Sequence, residues 1–219
     1  MKALDRKLLR ELWRLRGQAL AVAVVIASGV AVLVMSLSTL EALQATTDAY
    51  YERYRFADVF ANAVRAPQRI AERVAQLAGV QSVEARVTRY ATLDVAGFAE
   101  PVMGRLTSIP EGGEPTLNQL VLRNGRWIEA RGHDEVIVNE PFAEAHGLTP
   151  GSQFSALING SRRTLRVVGT ALSPEFVYAL GPGALMPDDK RFGIVWMGRE
   201  GLEAAFDLKG AFNDLSASL

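Results

Sequence analysis

No cysteine occurs among the 219 residues. That excludes disulfides, thiolate-bound zinc, iron–sulfur clusters, a thiol nucleophile and a lipid-modified N-terminal cysteine. Histidine is nearly as scarce: His133 and His146 are the only two, too few to supply a histidine-based metal centre. Neither sign of charge is in surplus, since 24 basic side chains balance 24 acidic ones, and a domain dedicated to nucleic acid would carry a basic excess. The chain also lacks a G-x-x-x-x-G-K-[ST] phosphate loop, a G-x-S-x-G nucleophile elbow and an H-E-x-x-H zinc helix. Gly181-Pro182-Gly183 does not replace the first of these, having neither the Lys nor a following helical pattern.

The remaining chemistry-bearing groups read as structural. His133 lies in a Gly132-His133-Asp134-Glu135 turn, and His146 stands at a helix end before Gly147, where a cation is electrostatically welcome. The carboxylate pairs Asp134/Glu135 and Asp188/Asp189 would act as acid and base only if a cleft isolated them, and they read as solvated turn residues. No catalytic, cofactor-binding or metal-binding residue is assigned. At 49% hydrophobic, the chain has the length and apolar content for one or two domains with a real core.

Charge is balanced overall but unevenly placed. Residues 1–16 hold six basic side chains (Lys2, Arg6, Lys7, Arg10, Arg14, Arg16) against Asp5 and Glu11. Residues 17–40, GQALAVAVVIASGVAVLVMSLSTL, contain no charge at all. As a helix these 24 residues would span about 36 Å, enough to cross a hydrocarbon layer of about 30 Å. A single charge near the centre would cost about 3 kcal/mol and offset most of what the Leu, Val and Ile side chains contribute, so the absence of one matters. A secretory signal has a shorter apolar stretch, about 7–15 residues, and a better cleavage site than Leu43-Gln44-Ala45. The basic flank places the N-terminus in the cytoplasm and the rest outside. Leu4, Leu8, Leu12 and Leu15 recur at helical spacing among the basic residues, as in a segment lying along the inner headgroup layer. Ala19, Ala23, Ala27 and Ala31 form a small-residue stripe against which another helix can pack closely.

Beyond Leu40 the helical pattern continues through Leu43, Thr47, Tyr50/Tyr51 and Tyr54, which predicts one helix running out of the bilayer and ending near Arg55. A mixed α+β pattern follows. Strands are expected at 56–64, at 80–95 (one or two) and at 101–109, with a helix opened by Pro67 and stopped by Gly79. Leu120 onward is extended with a turn at Asn124-Gly125, then a strand at 135–138 and a helix at 140–146 capped by Asn139 and ended by Gly147. Asn159-Gly160 between two alternating runs predicts a β-hairpin, which accounts for the Asn-Gly-Ser without invoking glycosylation. A short helix at 199–206 and a final strand from Phe212 complete the reading, the strand expected to stand without a closing element.

This order of parts resembles the FtsX-like (MacB-type) ABC transporter permeases. The resemblance runs through LDRKLLRELWRLRGQALAVAVVIASGV, FADVFA, APQRIAERVAQLAGVQSVEARV, NGRWIEARGHDEVIVNEPFAEAHGLTPGS and RTLRVVGTALSPEFVY. It implies a membrane-anchored α+β protein of the bacterial inner membrane. Residues 1–16 would be a cytoplasmic segment, 17–40 the span and 41–56 a stalk helix. Residues 57–219 would be a two-lobed periplasmic core domain, with a first-lobe part at 57–105, a second lobe at 106–198 and the start of the return at 199–219. The three later spans, the returning half of the first lobe and the coupling element would lie outside this sequence.

By the same resemblance the chain is a non-enzymatic subunit without a cofactor. It would relay the motion of a separate ABC ATPase to a periplasmic domain that moves or releases a lipoprotein, lipid, peptide or drug-like substrate. A second permease subunit in a homo- or heterodimer, membrane lipids and a periplasmic adaptor or lipoprotein are the implied partners. The rival reading is a single-pass membrane-anchored extracytoplasmic binding protein.

Overall fold

A computed structural model of the chain describes residues 7, 8, 10, 11, 13, 15–100 and 102–219. Much of the basic amphipathic start, including Lys2, Leu4, Arg6, Leu12 and Arg14, lies outside the described residues, as does Pro101. The charge-free stretch falls within one helix, α1 (Arg16–Arg53, 38 residues), none of whose residues is buried. Leu20, Val25, Ile26 and Met35 are each more than half exposed. Apolar side chains exposed on every face of a helix need lipid rather than water around them. Ser28 lies in that stretch and donates its hydroxyl to the Val25 carbonyl at 2.8 Å, so it adds no unsatisfied polar group.

Residues 51–219 form a separate unit containing two sheets. The smaller is fully antiparallel, in the order β1 (Val59–Pro67), β10 (Ala211–Ser218), β2 (Ser82–Arg86). Helix α2 (Gln68–Ala75) covers it, laying Ala71, Ile70 and Val74 on Ala85, Phe212, Leu215 and Ala217. The last strand is therefore the middle strand of its sheet. It is paired on both sides, where the sequence alone suggests a strand left without a partner, because a strand's partners need not be its neighbours in sequence. β1 also starts later than 56–64 suggested, at Val59. Ala57 N–H instead donates to Asn118 Oδ1, and Asp58 N–H to the Ala217 carbonyl.

The larger sheet contains β3 (Thr88–Asp94), β4 (Val102–Ile109), β5 (Val121–Gly125), β6 (Glu135–Asn139), β7 (Gln153–Ile158), β8 (Ser161–Leu172) and β9 (Phe192–Gly198). Its order is β5-β8-β6-β9-β4-β3-β7, and β7 pairs in addition with β8. The sheet thus closes into a ring of six strands with β5 attached outside it. The early part of β8 pairs with β7 through the hairpin at Asn159 (φ 48°) and Gly160 (φ 80°). Its later part pairs with β6 and β5, and the β6 ladder carries a register shift between Val167 and Gly169. One face of all six ring strands supplies a core that includes Leu93, Leu106, Val138, Phe154, Leu165 and Met197. The other face packs Ile137, Ile194 and Trp196 under loop residues Leu120 and Ile128. In β9 these faces alternate residue by residue, so every position of that strand is buried.

Two local expectations change. Asn124-Gly125 is not a hairpin turn: both residues belong to β5, which carries a register irregularity there. Gly125 has φ 83°, and a Cβ on it would stand 2.1 Å from the Val168 carbonyl oxygen. Asn139 precedes helix α3 (Glu140–His146) as anticipated, but its side chain does not cap it. Its Oδ1 accepts the Ile194 N–H of β9 at 2.7 Å, fixing the helix start to the neighbouring strand. α3 then lays Phe142 over Gly193, where any Cβ would come within 2.6 Å of the ring. Helix α4 (Arg199–Ala205) leads from β9 back to the small sheet.

Candidate functional site

Four charged side chains meet where the two sheets adjoin. Arg86 on β2 and Asp214 on β10 face each other in register within the small sheet. Arg105 comes from β4, and Glu175 from the 3-10 turn Pro174–Phe176 that follows β8. Ser173 sets that turn by accepting the Glu175 N–H on its hydroxyl at 3.2 Å. Arg86 donates to Asp214 from Nε at 2.7 Å and to both Glu175 oxygens at 2.5 and 3.1 Å. It is 5% exposed and Asp214 is 3% exposed, so these bonds form away from water. Burial works against the charge on Arg86, but the two carboxylates outweigh it and raise its pKa.

Arg105 is held more loosely. Its Nη2 lies 3.6 Å from Glu175 and 3.8 Å from Asp214, beyond hydrogen-bond length. Its guanidinium instead stacks over the Phe176 ring at 4.9 Å. Its Nε is buried with no partner.

Other polar bonds cross the same boundary. Asn213 accepts the Thr88 N–H and donates to the Thr88 carbonyl, both at 2.8 Å. Arg199 reaches from α4 to the Ala85 carbonyl at 2.8 Å and to Gln68 at 2.9 Å. Glu84 accepts the Leu117 N–H at 2.7 Å; burial pushes its carboxyl above the ordinary range, and that hydrogen bond offsets only part of the rise.

Beside the four charges opens a cleft of about 420 Å³. Phe56, Phe60 and Asn62 line one side, while Phe176, Tyr178 and Leu180 come from the turn and the segment after it. Phe192 and Ile194 of β9 complete the apolar wall, and Arg105, Glu175 and Asp214 are the charged part of the lining. Tyr178 is 76% exposed at the rim. Chemically this is an apolar pocket beside fixed, mutually compensating charges.

The candidates singled out in the sequence do not converge on it. Asp134 pairs with Arg163 at 3.5 Å, and neither residue lines the cleft. Glu135 is not a solvated turn residue: it is buried, and it accepts from Arg126 at 2.7 Å, from Arg166 at 2.5 Å and from the Glu129 N–H. Hydrogen bonds from Arg126 above all hold its carboxyl down at about 2, against the cost of burial. Asp188 closes a turn on the Lys190 N–H and pairs with Arg191 at 3.1 Å. His146 bonds the Lys190 carbonyl at 2.9 Å and packs against Phe98 and Phe142. Among the described residues no three metal-ligating side chains come together. The cleft went unnoticed in the sequence because its residues are scattered from 56 to 214, and no local spacing signals them.

Solved structures similar to this chain include two from ABC-type transporters. One is the extracellular domain of the noncanonic ABC-type transporter YknZ from Gram-positive bacteria, with a TM-score of 0.47 and 16% identity over 75% of this chain and 80% of that one. The other is the periplasmic region of MacB from Actinobacillus actinomycetemcomitans, with a TM-score of 0.45 and 14% identity over 73% of this chain and 72% of that one. No protein-family profile matches the chain, and no curated protein does.

Proposed function

We propose that this chain is a permease subunit, or part of one, of an ABC-type transporter. It relays the motion of a separate ATPase to an extracytoplasmic domain that moves or releases a lipoprotein, lipid, peptide or drug-like substrate. The observation that carries this reading is α1: one unbroken helix holds the charge-free stretch and continues to Arg53, while residues 51–219 form a unit of two sheets. It adds to the sequence resemblance, which runs through the whole chain. The small and large sheets take the place of the two lobes of a MacB-like core domain. In this reading α1 sits in the bacterial inner membrane with the Arg-rich end in the cytoplasm, and the domain faces the periplasm or exterior. A second permease subunit packs beside α1 along the Ala19–Ala31 stripe. The chain is not itself an enzyme; ATP is hydrolysed in the partner.

The absence of cysteine makes the topology directly testable. Asp189→Cys should be labelled by a membrane-impermeant maleimide in intact cells, whereas Lys7→Cys should react only after permeabilisation. An ABC-type ATPase should co-purify from native membranes at a fixed ratio. Reversed labelling or purification alone would overturn the reading.

The rival is a single-pass, membrane-anchored extracytoplasmic binding protein, which would act without an ATPase. Correct labelling without an ATPase partner would decide for it.

A further inference from the structure

We propose that the cleft between the two sheets binds a small amphiphile, its apolar body against Phe60, Phe176 and Tyr178 and an oxygen-acceptor head on Arg105. The inference does not depend on the transporter reading. Arg105 carries it. Among the described residues its guanidinium makes no side-chain hydrogen bond, although it lines the cleft and is only 24% exposed. Its contacts are the two ion pairs at 3.6 and 3.8 Å and the Phe176 ring. Both neighbouring carboxylates are already committed to Arg86 at 2.5 to 2.7 Å. A guanidinium with unspent donors, 4.9 Å over an aromatic ring, matches the paired acceptor oxygens of a carboxylate or sulfonate.

Charge and size agree with this occupant. Two arginines and two carboxylates sum to zero, so a singly negative head meets no net opposition. A cationic head finds both carboxylates occupied. About 420 Å³ lies within the range of small-molecule sites and is lined mainly by aromatic and aliphatic side chains.

The test uses the full chain in zwitterionic-lipid nanodiscs, with empty discs subtracted. The probes are 8-anilinonaphthalene-1-sulfonate and N-phenyl-1-naphthylamine, which share the same rings with and without the sulfonate. With Trp13 and Trp127 replaced by Phe, energy transfer from Trp196, whose ring lies 6.2 Å from Phe176, reports occupancy of the cleft. One saturable site should appear, with the sulfonate dye about tenfold or more tighter than the neutral dye, the usual worth of a hydrogen bond to a charged group. Arg105→Gln should remove that difference. Tyr178→Ala, at an exposed rim position that the fold does not need, should weaken both dyes several-fold. Equal affinity for the two dyes in the unaltered protein would overturn the proposal, as would indifference to Tyr178→Ala. Both readings survive any misfolding of Arg105→Gln. If that variant folds and keeps the preference, the proposal also fails.

Discussion

Glu135 shows how far one side chain's setting departs from its place in the sequence. It sits beside Asp134 in a polar turn, yet it is 4% exposed and receives two arginines and a backbone N–H. Its carboxyl titrates at about 2 in the folded protein, against an ordinary value of 4.5. The stabilisation is therefore complete above pH 4.5 and drains away as pH falls toward 2. Its arginine partners are 43% and 52% exposed. Allowing for the screening that this permits, the contribution is about 2 kcal/mol at neutral pH. Glu135→Gln should lose about that much by urea denaturation at pH 7 and should show a flatter decline between pH 5 and 3 than the unaltered protein. Neither this role nor that of Asn139 was legible. Both residues obey local rules for turns and caps, but their partners, Arg166 and Ile194, arrive from distant strands.

Elements were the most readable level. The charge-free run, the Asn159-Gly160 hairpin and the Gly147 stop each rest on a local constraint: desolvation, a turn needing positive φ, and a left-handed cap (φ 63°). Strand pairing has no such local signature. β4 runs parallel to β9, 89 residues later by the Met103–Phe192 pair, and both read simply as apolar runs. For α1 the physical demand is simple. Val30→Arg places a charge near the middle of the stretch, where insertion becomes less favourable by about 2.5–3.5 kcal/mol. The variant should shift measurably from the carbonate-resistant to the carbonate-extractable fraction, while Thr47→Arg, beyond the charge-free stretch, should not.

At the scale of the whole molecule, the two sheets are joined by a single residue, Val87, between β2 and β3, and by α4 on the return. Polar side chains supply much of the rest of the joint, with Arg86 among them bonding to both Asp214 and Glu175. Arg86→Met would leave Glu175 and Asp214 buried with only the looser Arg105 nearby. Removing one partner from a buried ion cluster costs about 3–5 kcal/mol. Urea unfolding of Arg86→Met should show that loss at pH 7.

The pairing of β1 with β10 also decides how the unit responds to load. Val59 lies opposite Ala217, and the Leu219 N–H reaches Asp58 at 2.9 Å, so the strand leaving the helix and the strand ending the chain share one corner. Tension drawn between those points peels an antiparallel pair open one bond at a time, because the rungs of the ladder are loaded in succession rather than together. The small sheet thus opens most easily under tension applied at that corner.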